Sequence, residues 1–263
     1  MEDRAPSTLA VAFPSVSARP VTGNVEFSVA EALGPGRSRP AQVTGVLTAV
    51  FDRIGGVASD IEDVRALSSG SREWLLQRAA SYFWIGSGWF SATCPTCDAD
   101  FDVPAALTDA PRKPAGDDFP AVLVDTSLGQ RRFEAPNGRH EEQLAQSEVD
   151  PVRTLIGACG LSPTATEDAQ AFTEADLIRI EDALDRASPE VADRVSTSCP
   201  SCSTVTEVRL DPLAFAFPKA RQILMEVHTI AKAYHWSEAD VLALPSSRRR
   251  AYCSMIRNGG GGR

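Results

Sequence analysis

The chain has 263 residues, 43% of them apolar and 23% charged, which is the composition of a globular protein long enough to bury a sizeable core. Its net charge of −9 opposes a general affinity for phosphate backbones, which is built from Lys and Arg. No apolar run approaches the ~18 residues that cross a bilayer. The N-terminal "MEDRAPSTLAVAF" also has early acidic residues and too short an apolar stretch for a signal peptide, so a cytoplasmic protein is expected.

Residues 1–38 are rich in Pro, Ser and Gly and read as a flexible segment holding one strand, from the alternation in "NVEFSV". Residues 39–106 read as a helical region ending in the first CPxC turn. "AQVTGVLTAVFDRI" (41–54) and "SREWLLQRAASYFW" (71–84) are expected helices, the second with Leu75, Ala79, Tyr82 and Phe83 on one face. "CPTC" (94–97) follows, then "DADFDV" as a strand. The polar stretch 107–118, with two prolines, reads as a linker. Residues 119–192 begin with two alternating runs around "SLGQ", a β-hairpin. The helices "GRHEEQLAQ" and "DPVRTLIGACG" come next, the latter ending at a glycine suited to a C-cap. "TEADLIRIEDALDRA" (173–187) is a helix opened by Thr173 and Asp176 at capping-box spacing. Residues 193–218 carry "CPSC" (199–202) between β-rich runs. Residues 219–257 are helical, with Ala220, Ile223, Leu224, Val227, Ala231 and Tyr234 as an apolar stripe. Ser237 is a candidate N-cap with Asp240, and Arg248, Arg249 and Arg250 lie on the last helix as an exposed or partner-facing run. Residues 258–263, "NGGGGR", read as a flexible tail.

The two CPxC turns are limited internal copies. "SATCPTCDADFDV" and "STSCPSCSTVTEV" share Ser, Cys-Pro-x-Cys and a Val nine residues after the first Cys. A two-residue gap lets both sulfurs face one tetrahedral ion, and proline fixes φ inside the turn. Cys94, Cys97, Cys199 and Cys202 are therefore the expected ligands of one structural Zn²⁺. A spacer of 101 residues separates Cys97 from Cys199, and loop-closure entropy grows only logarithmically with such a length. A thioredoxin-like redox pair would open a helix, whereas strand-like sequence follows here. Cys159 and Cys253 are expected as small buried apolar residues, and His140, His228 and His235 as packing or surface residues. No catalytic constellation stands out, so no enzymatic activity and no small-molecule substrate are expected.

A resemblance adds a setting. The segment "LMEVHTIAKAYHWSEADVLALPSSRRRAYCSMI" resembles the closing segment of the baseplate hub assembly chaperone family of contractile-tailed phages and related injection systems. "REWLLQRAASYFW" before "CPTC", "GQRRFEAPNGRHEEQLAQ" and "SCPSC" resemble that family's other parts in order, over roughly residues 40–257. The family commonly has Leu-Pro-Thr where this chain has "APNG". The resemblance implies a non-enzymatic role beside baseplate hub or wedge proteins, in the cytoplasm or retained in the finished particle. Tyr234, Trp236, Arg248, Arg249 and Arg250 are the partner-contact candidates. The rival reading is a zinc-ribbon regulator that binds nucleic acid, which Asp98, Asp100 and Asp102 beside the first turn oppose. The expected fold is α+β, mostly helical, with a β-hairpin and a four-cysteine ribbon.

Overall fold

A computed structural model describes residues 3–83, 88–105, 110–147 and 150–259. The fold is α+β: helices predominate, and short antiparallel strand pairs lie between them.

Helices α1 (Gly23–Ala32), α2 (Arg39–Val50), α3 (Ile61–Ala66) and α4 (Ser69–Ser81) enclose the first core. The alternation in "NVEFSV" does not make a strand. Val25, Val29 and Ala32 bury at helical spacing on one side of α1, and Phe27 and Ala30 pack on another. Six residues fit either period, and the longer register to Ala32 decides. The expected helix at 41–54 stops at Val50, and β2 (Phe51–Ile54) pairs with β1 (Val16–Ala18), Ile54 opposite Val16. Phe51 is fully buried, so tertiary pairing overrides local propensity there. Strand β3 (Val57–Ala58) adds to β2 across Gly55 and Gly56, both at the positive φ that a two-residue hairpin loop needs. Helix α4 buries Leu75, Leu76, Ala79 and Ala80. Tyr82, expected on that face, lies past the helix end and is 42% exposed. Trp84 falls outside the described residues.

Arg72 of α4 is buried and bonded through four of its five N–H groups. Its guanidinium donates to Val64 O at 3.1 Å, Pro40 O at 2.9 Å and Thr44 Oγ1 at 3.1 Å, and pairs with Glu141 at 3.0 Å. One side chain thus ties α2 and α3 to α5 (Gly138–Leu144).

The second core holds the expected hairpin, β7 (Ala121–Thr126) and β8 (Gly129–Glu134), against α6 (Pro151–Cys159), α7 (Ala165–Ala171) and α8 (Glu174–Ala187). The Thr173–Asp176 capping box forms, and Asp176 also accepts from Ser127 in the hairpin turn. Gly160 caps α6 in an extended conformation rather than a left-handed one. Its need is space, because a Cβ there would fall 2.6 Å from that of Ala165. The expected linker is not free: β6 (Arg112–Lys113) pairs with β9 (Glu190–Val191), and Gly116 N–H donates to Ala187 O. The edge of β9 supplies partners that this polar stretch lacks locally; residues 107–109 lie outside the described residues.

The N-terminal arm is also held. Glu134 accepts from the N–H groups of Ser7 and Thr8 at 2.6 and 2.7 Å and from both hydroxyls, while Arg4 donates to Gly160 O. These partners lie more than 120 residues away, beyond any local reading of a Pro/Ser/Gly-rich stretch.

Helices α9 (Pro212–Phe215), α10 (Ala220–Tyr234), α11 (Glu238–Leu242) and α12 (Ser246–Gly259) close the chain. The buried side of α10 is Ile223, Val227 and Ile230, set against Phe27, Leu242 and Cys253. Leu224 and Tyr234 point outward, so the inner face is narrower than the expected stripe. The Ser237–Asp240 capping box forms. Helix α12 runs into the expected tail as far as Gly259, and residues 260–263 lie outside the described residues. No helix among the described residues is long and apolar enough to cross a membrane.

Candidate metal centre

Two hairpins carry the CPxC turns: β4 (Gly88–Thr93) with β5 (Asp100–Ala105), and β10 (Arg194–Ser198) with β11 (Val205–Arg209). The same bonds close both. Cys94 N–H donates to Ala99 O and Asp98 N–H to Cys94 O, each at 3.0 Å; Cys199 N–H donates to Thr204 O and Ser203 N–H to Cys199 O, each at 2.9 Å. Asp98 and Ser203 share a left-handed φ, 54° and 60°. Each turn therefore reverses within a few residues and leaves both sulfurs on one side.

The repeated valine has a structural reason. Val103 and Val208 are 2% and 9% exposed and pack in one small cluster with Leu210, Phe101 and Val195. The short repeat thus encodes both the turn and the contact that joins the hairpins. Phe215 of α9 touches this cluster and the first core, so the ribbon is anchored to the body.

The four Sγ atoms lie within 4.8 Å of one another. The pairs Cys94–Cys202 and Cys97–Cys199, each at 3.7 Å, cross from one turn to the other. The first cysteine of each turn is buried and the second exposed. The thiols are unequal. The N–H groups of Thr96 and Cys97 hold Cys94 down to about 6, and the hydroxyl and N–H of Thr204 lower Cys202. The N–H of Ala99 favours the Cys97 thiolate, yet the sulfurs of Cys202, Cys94 and Cys199 push that thiol up to about 12. One ionised sulfur opposes the next, so complete ionisation needs a cation among them. Four soft donors converging on one point can hold one metal ion.

The other predicted site residues are elsewhere. Tyr234 and Trp236 are 41% and 38% exposed, and with Tyr252 they form a patch of rings 5.2–5.8 Å apart. Arg248 and Arg250 are exposed on α12. Arg249 is not: it is 1% exposed, pairs with Glu226 at 2.9 Å and with Glu26, and donates to Leu244 O at 2.7 Å. This corrects the reading of 248–250 as one outward face. Successive helical residues are about 100° apart, so three in a row cannot share a face. His228 and His235 are exposed.

A buried cluster escaped sequence reasoning. His140 Nε2 is 3.5 Å from the Glu134 carboxylate, and Cys159 Sγ is 3.5 Å from His140 Nδ1, which also accepts the N–H of Asn137. Burial favours the neutral acid of Glu134, but the imidazole and the N–H and hydroxyl of Thr8 outweigh it and hold the carboxyl down to about 2. Burial, with Glu134 adding to it, pushes the Cys159 thiol far up, so it is a neutral, packed group. The three residues come from different elements, and no spacing in the sequence marks them as neighbours.

Comparison with protein-family models, curated proteins and solved structures found no match to this chain.

Proposed function

We propose that this chain is a non-enzymatic assembly or structural protein of a contractile baseplate, in a phage tail or an injection system, stapled by one structural zinc ion. Zinc follows from donor chemistry and size. Four sulfurs at ~2.3 Å from one tetrahedral ion stand about 3.8 Å apart. The crossing pairs at 3.7 Å already have that separation, and the remaining ones, none above 4.8 Å, need only a small closure. Four protein ligands leave no position for water, so such a metal organises the fold rather than activating a substrate. The cysteines lie in hairpin turns and not at a helix N-terminus, which disfavours a redox pair. The exposed Asp98 and neighbouring Asp100 and Asp102 disfavour nucleic acid.

The observation that carries the docking role is the three-ring patch of Tyr234, Trp236 and Tyr252. It lies on the segment whose resemblance to the baseplate family is most specific. Tyr and Trp are enriched where interfaces concentrate their binding energy. The buried side of α10 belongs to this chain's own core, so docking falls to the outer side alone. The test is deletion of the gene in its source, with tail or injection particles imaged by electron microscopy, complemented by wild type and by Trp236→Ala/Tyr252→Ala. Loss of particles in the deletion, unrestored by the double variant, is expected. Normal particles in the deletion strain would refute the role.

A further inference from the structure

We propose that the groove between α10 and α12 binds an acidic, amphipathic segment of a partner protein, its carboxylates seated on Arg250 and Arg257. The groove has a volume of about 330 Å³ and is walled by Met225 and Thr229 of α10 and the two arginines of α12, over Cys253. Glu226 also lines it, but that carboxylate is taken by Arg249.

The placement of the two arginines on one groove is the informative feature. Acidic residues outnumber basic ones 35 to 26 in this chain, and ten of its 23 arginines make ion pairs among the described residues. Arg250 and Arg257, both exposed, have no carboxylate partner among the described residues. They belong to a locally basic unit: residues 219–257 hold seven Lys or Arg against three Asp or Glu, on a chain of net charge −9. Seven residues of helix set the Cα atoms of Arg250 and Arg257 about 10 Å apart, two turns along one side of α12, which matches residues at i and i+7 of a second helix.

The walls say what accompanies the carboxylates. Met225 is 57% exposed, and Met side chains repack readily around apolar partners. Past Gln222, Glu226 and Arg250 the groove opens into a second hollow of about 360 Å³, walled by Phe83, Phe217 and Pro218. A segment with one acidic and one apolar face satisfies both stretches. Nucleic acid would meet the repulsion of the acidic body and leave the apolar walls unused. The inference rests on the docking reading above and names the chemistry of the partner.

The test uses the metal-loaded full chain and a fluorescein-labelled helical peptide of Leu and Glu, with glutamates at i and i+7, read by anisotropy. A Gln-for-Glu peptide, a Lys-for-Glu peptide and a single-stranded oligonucleotide are the comparisons. Binding of the Glu peptide should weaken by about tenfold or more in Arg250→Glu/Arg257→Glu, and the Lys peptide should bind that variant instead. Circular dichroism and metal content should stay unchanged, because both side chains are exposed. No binding of the Glu peptide, equal binding of the Gln peptide, or tighter arginine-dependent binding of the oligonucleotide would overturn the proposal. So would a dimer that the double variant converts to monomer, since a second copy would then fill the groove. The assay contains no tail protein: particle loss on deletion with no peptide binding overturns the groove alone, and the reverse pair of results overturns the baseplate role alone.

Discussion

Arg249→Ala should cost the fold about 3–5 kcal/mol, the range for removing one partner of a buried ion pair. The side chain is 1% exposed and faces two carboxylates, Glu26 of α1 and Glu226 of α10, of which Glu26 is itself 5% exposed. Its loss leaves the buried Glu26 without a counter-charge, takes the partner from Glu226, and removes one of the two donors to Leu244 O, the other being Gly23 N–H. The approach is close on the other side too, because a Cβ on Gly23 would lie 2.7 Å from Arg249 Nη1. Whole-domain stability is only ~5–15 kcal/mol, so this one residue governs much of it. Urea unfolding at fixed metal content measures the effect. With a slope of about 3 kcal/mol/M the midpoint falls by about 1–1.7 M. Arg249→Lys keeps the charge but not the fork that serves three acceptors, and should fall between wild type and Ala. Arg250→Ala, one residue along and exposed, should stay within about 0.5 kcal/mol. An Arg249→Ala midpoint no lower than that of Arg250→Ala would refute the reasoning.

Elemental analysis should give one zinc per chain, lost in Cys94→Ser and kept in Cys159→Ser. Chelation should lower stability by up to ~4–5 kcal/mol, by analogy with a cross-link closing ~100 residues, seen as a fall in Tm. The Glu134 carboxyl has a folded-state value near 2 against an ordinary 4.5, so its contribution is fully present above about 4.5 and is lost as pH falls towards 2. Glu134→Gln should flatten that part of the acid-unfolding curve and raise proteolytic cleavage near Ser7 and Thr8; an unchanged curve would place the acid sensitivity elsewhere. Gly138→Ala should cost about 1–3 kcal/mol by thermal unfolding, because its Cβ would fall 2.4 Å from Arg72 Nη1.

What could be read from the chain was local chemistry. The CPxC turns, the capping pairs Thr173–Asp176 and Ser237–Asp240, and the hairpin at 121–134 each depend on residues near one another in sequence. What could not be read depended on distant partners. Strand β2 exists because β1 lies beside it, and β6 because β9 does. Arg249 is buried because α1 and α10 bring carboxylates to it, although an Arg-Arg-Arg run in isolation belongs in water. The N-terminal arm is ordered by Glu134, with no signal in its own composition. The candidate metal site was legible despite its span because each half is a complete local motif.

That span sets an order in time. A ribosome adding ~5–20 residues per second takes about 5–20 s to travel from the first cysteine pair to the second. Throughout that interval Cys94 and Cys97 are synthesised and their final partners are not. Ala216 and Phe217, which fill the first core, arrive later still. The first core therefore lacks part of its packing until the far end of the chain arrives, and two thiols of the metal site stand without the other two. Metal supply, thiol protection and attendant chaperones matter most during those seconds, and a growth medium poor in zinc should reduce yield at synthesis far more than it harms protein already made.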